Sequence, residues 1–194
     1  MTAIFDFDGT LLHGDSFISF ARRSLTKRRL FIGAVMALPW LIAWKLRIIS
    51  SSAAKMKLFG FWYKGTPLET FDRWGKEYAS YIDTHTIPET KDALRTHLEA
   101  QDRVYIISAS LRNWIAPWAE AQGNVHVIAT MPETDSSNRL TGRFDGLNCL
   151  GEEKVRRLEA DTGFDPSLPL AVYTDSLSDL PLIRLSSRTI IVKS

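Results

Sequence analysis

Cysteine is almost absent from this chain. Cys149 is the only one, so no intrachain disulfide can form, and no Cys/His cluster has the spacing of a zinc site. A reducing cytosol is the compartment this implies. The N-terminal run Met1-Thr2-Ala3-Ile4-Phe5-Asp6 lacks the basic stretch and apolar core of a signal peptide. Internal repeats and low-complexity tracts are missing too. Leu30 to Trp44 is free of charge for 15 residues, but as a helix that is about 22 Å, short of the roughly 30 Å of a bilayer core. Pro39 is expected to kink it. The run reads as a buried or interfacial helix. The most telling absence is acidic: between Ser16 and Leu68 there is no Asp or Glu, against ten Lys and Arg. The rest of the chain carries 14 basic and 22 acidic residues. A net charge of +2 therefore hides a basic segment suited to an anionic partner.

What is present is enough for one core with a small inserted module: 194 residues, 45% of them hydrophobic. Ala3 to Phe7 reads as a buried strand. Residues from about Asp15 to Tyr81 are mostly helical in pattern, with Thr66 expected as an N-cap, Pro67 as the first helical residue and Glu69 as the reciprocal cap. Beyond Pro88 the pattern alternates. Helices are expected over 89–100, 112–122, 152–162 and 177–184. Strands are expected over 103–107, 125–129, 170–173 and 189–192, with a hairpin near 136–146. Alternation of this kind predicts an α/β fold, a Rossmann-like doubly wound parallel sheet. The helical stretch of about 65 residues exceeds any crossover and reads as an inserted α-helical cap. The expected division is 1–14 and 84–194 for the core and 15–83 for the cap.

Ligands of open parallel sheets bind beyond the carboxyl ends of the strands. Three apolar strands here end in polar residues, at Asp6, Ser108 and Asp175. Two carboxylates and a hydroxyl therefore meet in one crevice. Asp8 lies two residues after Asp6, in the turn, where Gly9 lets the backbone bend. Carboxylates crowded together need a cation, and Mg²⁺ fits as a hard, oxygen-seeking ion often held by one or two carboxylates plus a phosphate. Lys154 is a candidate to stabilise a phosphoryl group in flight.

The sequence at this point resembles the haloacid dehalogenase superfamily. The motifs that carry the resemblance are Asp6-Phe7-Asp8-Gly9-Thr10-Leu11, Ile106-Ile107-Ser108-Ala109-Ser110, Lys154 in Gly151-Glu152-Glu153-Lys154-Val155, and Tyr173-Thr174-Asp175-Ser176-Leu177-Ser178-Asp179. All four stand in the family's order and span nearly the whole chain. The resemblance implies Asp6 as nucleophile, Asp8 as acid and base, and Ser108 and Lys154 as holders of the phosphoryl oxygens. It implies Mg²⁺ on Asp6, the carbonyl of Asp8 and Asp175, with Asp179 in support. Thr10, Ala109 and Ser110 are carried over as substrate-binding positions. The insertion between the first two motifs matches the subgroup that includes phosphoserine phosphatases. Within it the chain looks like a branch containing bacterial phosphatidylglycerophosphate phosphatases, through the basic Leu- and Trp-rich cap, Cys149-Leu150-Gly151-x-Glu153-Lys154, and the run from Asp175 to Leu182. Thr174 departs from the Gly that commonly precedes the fourth-motif Asp. Asp15 stands where phosphoserine phosphatases carry a Glu that reads the substrate amine. It reads equally as an N-cap or as a substrate contact.

The expectation is thus a Mg²⁺-dependent phosphomonoesterase. A lipid phosphate is one substrate reading and a small phosphomonoester the other. A phosphoryl transferase and a non-catalytic membrane-surface protein are the alternatives from other classes. The expected partners are a phosphorylated substrate and an anionic membrane surface met by the basic cap, with no nucleic acid. The expected place is the cytosol, peripheral to the inner face of the membrane. Cys149 is expected to be a packed small residue, and His13, His85, His97 and His126 carry no assigned role.

Overall fold

The structure is a computed structural model that describes residues 1–193. It contains a six-stranded sheet in the order β4-β3-β2-β1-β5-β6. The strands are β1 (Thr2–Phe5), β2 (Arg103–Leu111), β3 (Val125–Thr134), β4 (Leu140–Asp145), β5 (Leu170–Thr174) and β6 (Arg188–Ile191). All pairings are parallel except β3 with β4 at one edge. The expected α/β parallel sheet is therefore what the chain forms. Strand β1 lies in the middle, with Phe5 level with Ile106 of β2 on one side and Tyr173 of β5 on the other.

Alternation along these strands divides the interior. Ala3, Phe5, Val104 and Ile106 enter one apolar core, and Ile4, Tyr105, Ile107, Leu170 and Val172 enter a second. Successive side chains point to opposite faces, so strands covered on both sides must be apolar throughout. That is why they read as short continuous apolar runs. Helices α5 (Pro88–Glu99), α6 (Arg112–Gln122), α7 (Glu152–Glu159) and α8 (Leu180–Leu185) link the strands.

Between β1 and α5 stand the inserted helices α1 (Ser16–Ser24), α2 (Lys27–Lys45), α3 (Ser51–Tyr63) and α4 (Leu68–Thr84). They are anchored to the sheet unit by aromatic packing. Phe20 of α1 stacks on Trp114 of α6 with ring centroids 4.4 Å apart, and Phe71 and Tyr78 of α4 meet Phe20 edge-on. At Gly75 an added Cβ would lie 2.1 Å from the Asn113 carbonyl oxygen, so α4 and α6 approach backbone to backbone.

Three local expectations are corrected. Strand β2 does not stop at Ile107 but continues to Leu111 through a register irregularity after Ser108. Strand β3 runs past Ala129 to Thr134, because its second half pairs antiparallel with β4. Thr66 does not cap α4. The helix begins after Pro67 with no side-chain cap, while residues 65–68 bond to Asn138 and Leu140 of the β-hairpin and Thr66 Oγ1 accepts from Arg29. A tertiary strand-like bridge, Pro67 with Arg139, outcompetes the local capping pattern. Helix α2 spans Lys27–Lys45 with Pro39 inside it. Of its residues only Gly33 and Ala37 are buried, and Phe31, Val35, Leu38 and Ile42 face outward.

Candidate active site

The crevice forms where β1, β2 and β5 end. Asp6 follows β1, its amide bonded to the Tyr173 carbonyl at 2.9 Å. Lys154, in the first turn of α7, places its Nζ 2.8 Å from Asp6 Oδ1 and 2.7 Å from Asp179 Oδ1. Lys154 and Asp179 are almost wholly buried, with side chains 2% and 1% exposed. Asp179 Oδ1 is thus held by the same ammonium as Asp6. Its other oxygen accepts from Thr174 Oγ1 at 2.8 Å. This explains Thr174: its hydroxyl fixes Asp179 and also accepts the Ser176 amide at 3.0 Å, work that glycine has no side chain to do. Burial pushes the Asp6 carboxyl up to about 6, against the opposing pull of Lys154. Lys154 is held protonated far above the working range, because Asp6 and Asp179 outweigh its desolvation.

Asp8 is fixed by two elements. Its Oδ1 accepts the Ser16 amide at 2.8 Å, at the N-terminus of α1. Its Oδ2 accepts the Ser110 hydroxyl, and Ser16 Oγ donates to Ser110 Oγ at 2.9 Å. Burial raises the Asp8 carboxyl above its ordinary value, with Lys55 opposing. The first inserted helix thus completes the seat of a core carboxylate. Ser108 is buried and its Oγ accepts the Ser110 amide at 3.0 Å, which tightens the turn beyond the second motif. Thr10 ties the first motif to the fourth: its Oγ1 accepts the Asp175 amide at 3.0 Å and reaches Asp175 Oδ1 at 3.4 Å. Asp175 is exposed at the crevice mouth. Gly9 has φ +73°, and an added Cβ would fall 2.1 Å from Asp175 Oδ2. Only a residue without a side chain lets these two motifs close on each other.

Asp15 caps α1, accepting the Ile18 amide at 3.0 Å. Cys149 is buried, its thiol pushed up to about 11 by desolvation, as expected of an inert packed residue. His97 bridges Asp102 and Tyr173, a structural contact away from the carboxylates.

One residue escaped the sequence reading. Lys55 of α3 donates to the Ala109 carbonyl at 3.1 Å, and its ammonium is lowered in pKa by burial while Asp8, Asp15 and Asp6 pull the other way. Thr130 Oγ1 bonds the same carbonyl at 3.0 Å and Asn148 Oδ1 at 2.9 Å, and Asn148 Nδ2 reaches Ser52 of α3 at 2.9 Å. Helix α3 is thus tied at two points to the turn that carries Ser108 and Ser110. In the sequence Lys55 is one of ten basic residues between Ser16 and Leu68, and nothing in its neighbours marks it.

Among the described residues no three His, Cys, Asp or Glu side chains converge closely enough to hold a metal as they stand. The donor chemistry nevertheless suits Mg²⁺. Asp6 and Asp179 share the Lys154 ammonium, Asp8 is drawn toward Lys55, and Asp175 stands exposed at the crevice mouth as an oxygen donor without an ion pair. Mg²⁺ commonly takes one or two carboxylates and fills its other positions with water and phosphate, so a three-carboxylate cage is not required.

Comparisons with known proteins bear on the family and the fold. The model of the haloacid dehalogenase-like hydrolase family matches residues 3–184. Histidinol-phosphatase of Neisseria meningitidis is 34% identical over 119 residues, 59% of this chain and 54% of that protein, so the chain spans about half of this relative. Protein CicA of Caulobacter vibrioides is 28% identical over 94% of this chain and 81% of its own length. A protein of unknown function from Bordetella pertussis superposes with TM-score 0.75 at 27% identity, covering 98% of this chain and 88% of its own. The phospho-aspartyl intermediate analogue of a phosphoserine phosphatase shares the fold, with TM-score 0.59 at 17% identity over 98% of this chain and 85% of its own. A buried carboxylate–lysine–carboxylate set at the end of a central parallel strand, with the family match over nearly the whole chain, leaves one assignment: this protein is an enzyme of the haloacid dehalogenase-like hydrolase family.

Proposed function

We propose that this protein is a Mg²⁺-dependent phosphomonoester phosphatase that works through an aspartyl-phosphate on Asp6. The observation that carries the reading is the pairing of two differently held carboxylates. Asp6 lies 2.8 Å from a buried lysine. Asp8, two residues on, is held by the Ser16 amide and the Ser110 hydroxyl instead. Environments that separate two neighbouring carboxyls also separate their roles. Burial raises both carboxyls, opposed by Lys154 at Asp6 and by Lys55 at Asp8. The direct Lys154 contact supports Asp6 as the nucleophile, and the Ser16 and Ser110 contacts orient Asp8 for proton transfer.

In this reading a carboxylate oxygen of Asp6 attacks phosphorus and the ester oxygen leaves with the proton of Asp8. Asp8, now ionised, takes a proton from water as that water attacks the phosphorus of the aspartyl-phosphate. The atoms balance as alcohol and inorganic phosphate. Lys154 and Ser108 neutralise the phosphoryl oxygens, and Asp179 and Thr174 hold Lys154 in place. Asp6, the Asp8 carbonyl and Asp175 would hold Mg²⁺, which when bound offsets charge on the transferring group. Thr10, Ala109 and Ser110 line the approach, with Asp15 at its rim. Residues 1–14 and 84–194 act as the catalytic unit and 15–83 as its cap.

The substrate is read as a lipid phosphate met at the surface of an anionic membrane. Support comes from the basic insertion and the exposed apolar side of α2. The association is read as peripheral, through the outer side of α2; no helix among the described residues is long and apolar enough to cross a membrane. The second reading, a small soluble phosphomonoester, is favoured by the histidinol-phosphatase relative. A phosphate-release screen with Mg²⁺, comparing lipid phosphates with small esters, tests both. Absence of release from every ester, in a folded protein, ends the phosphatase reading.

A further inference from the structure

Helix α2 is apolar around its whole circumference between Leu30 and Trp44. One side packs on α3 through Gly33, Ala37 and Leu41. Gly33 is needed there, because an added Cβ would lie 2.2 Å from the Trp62 ring. The other side carries Phe31, Val35, Leu38 and Ile42, each between 51% and 70% exposed. These positions recur at the 3–4-residue spacing of one helical face, and no polar residue interrupts them. Leu46 and Ile48, 65% and 71% exposed, extend the apolar surface past the helix end. A contiguous apolar surface of this kind marks an interaction site rather than ordinary exposure.

The charge around it has an unusual property. Among the described residues, none of the ten Lys and Arg between Ser16 and Leu68 forms an ion pair with an acidic side chain. Elsewhere ion pairs do form, as between Glu153 and both Arg156 and Arg157. Between α2, α3 and β4 lies a groove of about 410 Å³ lined by Trp40, Lys57, Lys64 and Arg143, with Gly60 and Gly142 in close backbone contact within it. No acidic residue lines it. Lys57 sits over the Trp40 ring, 5.7 Å from its centroid. Trp40 is one turn from Met36, which is 50% exposed, so the groove adjoins the exposed apolar surface.

We infer that this groove is a headgroup site, distinct from the catalytic crevice, that takes the phosphate of an anionic membrane phospholipid while the outer face of α2 lies in the acyl boundary. The chemistry selects the occupant. Three unpaired cations fit a phosphate, an aromatic wall fits the glycerol and upper acyl carbons, and the neighbouring stripe fits hydrocarbon. A second copy of this chain would bring the same positive charge against itself. A free phosphate would use the cations and leave the stripe in water. The inference rests on the membrane reading above and names the surface that would serve it.

The test uses the full chain with Leu38→Cys, labelled with an environment-sensitive fluorophore; Cys149 is buried and stays unlabelled. On phosphatidylcholine vesicles containing about a third phosphatidylglycerol the label should shift to the blue and the protein should float with the vesicles. On pure phosphatidylcholine both signals should be weak. Replacing Lys57, Lys64 and Arg143 by Gln should weaken binding about tenfold or more, given the attraction of each cation to an anionic surface, and leave hydrolysis of p-nitrophenyl phosphate unchanged. Inorganic phosphate alone should not shift the label. Flotation undiminished in the triple variant overturns the headgroup site, and no flotation overturns the docking surface. A blue shift without vesicles that grows with protein concentration, alongside a dimer in sedimentation velocity, assigns the face to a second copy instead. Loss of p-nitrophenyl phosphate turnover in the unaltered protein, with flotation intact, defeats the phosphatase reading and leaves the docking surface standing.

Discussion

Lys154 and Lys57 are both helical lysines, and they sit in opposite worlds. Lys154 is 2% exposed and clamped between Asp6 and Asp179. Lys57 is exposed, lies over an aromatic ring, and meets no acid. Phe20 and Leu38 make the same contrast among apolar residues, the first 1% exposed among four aromatic rings and the second 52% exposed. Charge in the crevice is used up in holding geometry, whereas charge and apolar area on the outside of the insertion are left free. Residues of one type thus mean reaction chemistry in one region and availability in the other. Substitutions in the first should be costly, and in the second nearly silent in a dilute monomer.

The largest effect belongs to Asp6. Asp6→Asn keeps the size of the side chain and removes the proposed nucleophile, so turnover of p-nitrophenyl phosphate should fall by at least about three orders of magnitude. Circular dichroism should be unchanged. A beryllium fluoride adduct should form on Asp6 in the unaltered protein and not in the variant. Turnover within tenfold of normal would mean that the crevice works by another group.

Lys154→Met should come next, now in stability. The substitution leaves two buried carboxyls facing each other without a cation. Breaking a buried ion pair on one side costs about 3–5 kcal/mol, read by urea unfolding at neutral pH. A loss below about 1 kcal/mol would show that water reaches the triad and that the contrast with Lys57 is smaller than burial implies.

Glu153 offers the pH arm. It accepts from Arg156 at 2.6 Å and from Arg157 at 2.7 Å. Those bonds, from Arg156 first, draw its carboxyl down to about 2 from an ordinary 4.5. A depressed carboxyl contributes stability that is complete above the unfolded value and disappears as pH falls through the folded one. Glu153→Gln should therefore cost about 2 kcal/mol at neutral pH, a figure kept low because Arg156 is 68% exposed and its partner charge is screened. The gap between the two proteins should close as pH falls from about 4.5 toward 2. A gap constant with pH would assign the loss to packing.

Why some of this was legible in the sequence and some was not follows from where each interaction is made. Strands β1, β2 and β5 are covered on both faces, so each is a continuous apolar run, and each run stops where the crevice needs Asp6, Ser108 or Asp175. The sheet and these site positions could be read for that reason. Asp15 as an N-cap was readable because capping is local. The failures were at contacts with distant partners. Thr66 carries a good capping pattern, but the hairpin takes its backbone and Arg29 its hydroxyl. The second half of β3 forms only because β4 pairs with it. Lys55 becomes distinct from nine other cations only when α3 lays it on Ala109. For α2 the pattern was apolar on all sides, and such a pattern cannot say which side stays uncovered.

Gly33→Ala probes the inner side of α2. Alanine is the better helix former by about 1 kcal/mol, yet its Cβ would sit 2.2 Å from Trp62 Cδ1. Trp62 is also held by its indole N–H to the Leu30 carbonyl at 3.0 Å, so the ring has little freedom to retreat. Overpacking should outweigh propensity and leave a net loss of about 1–2 kcal/mol. Hydrogen exchange should place the loosening in α2 and α3 and spare β1 and β2. A stabilised variant would mean that the helices part easily.

The smallest effect should come from the outer side, at Leu38. Leu38 is 52% exposed, so Leu38→Gln removes little buried area and puts an amide where water already is. The helix backbone is unaffected, since Leu and Gln have nearly equal helix propensity. Stability of the dilute protein should change by no more than about 0.5 kcal/mol. Phe20→Ala, in the aromatic cluster that joins the insertion to α6, should cost about 3–5 kcal/mol in the same assay. The pair measures the contrast directly, because both residues are large and apolar, both lie on inserted helices, and one is buried while the other is exposed. A loss of 2 kcal/mol or more for Leu38→Gln would show that the outer face of α2 is covered in solution. If that loss also grew with protein concentration, the cover would be another copy of the chain, because only an association equilibrium carries a concentration term.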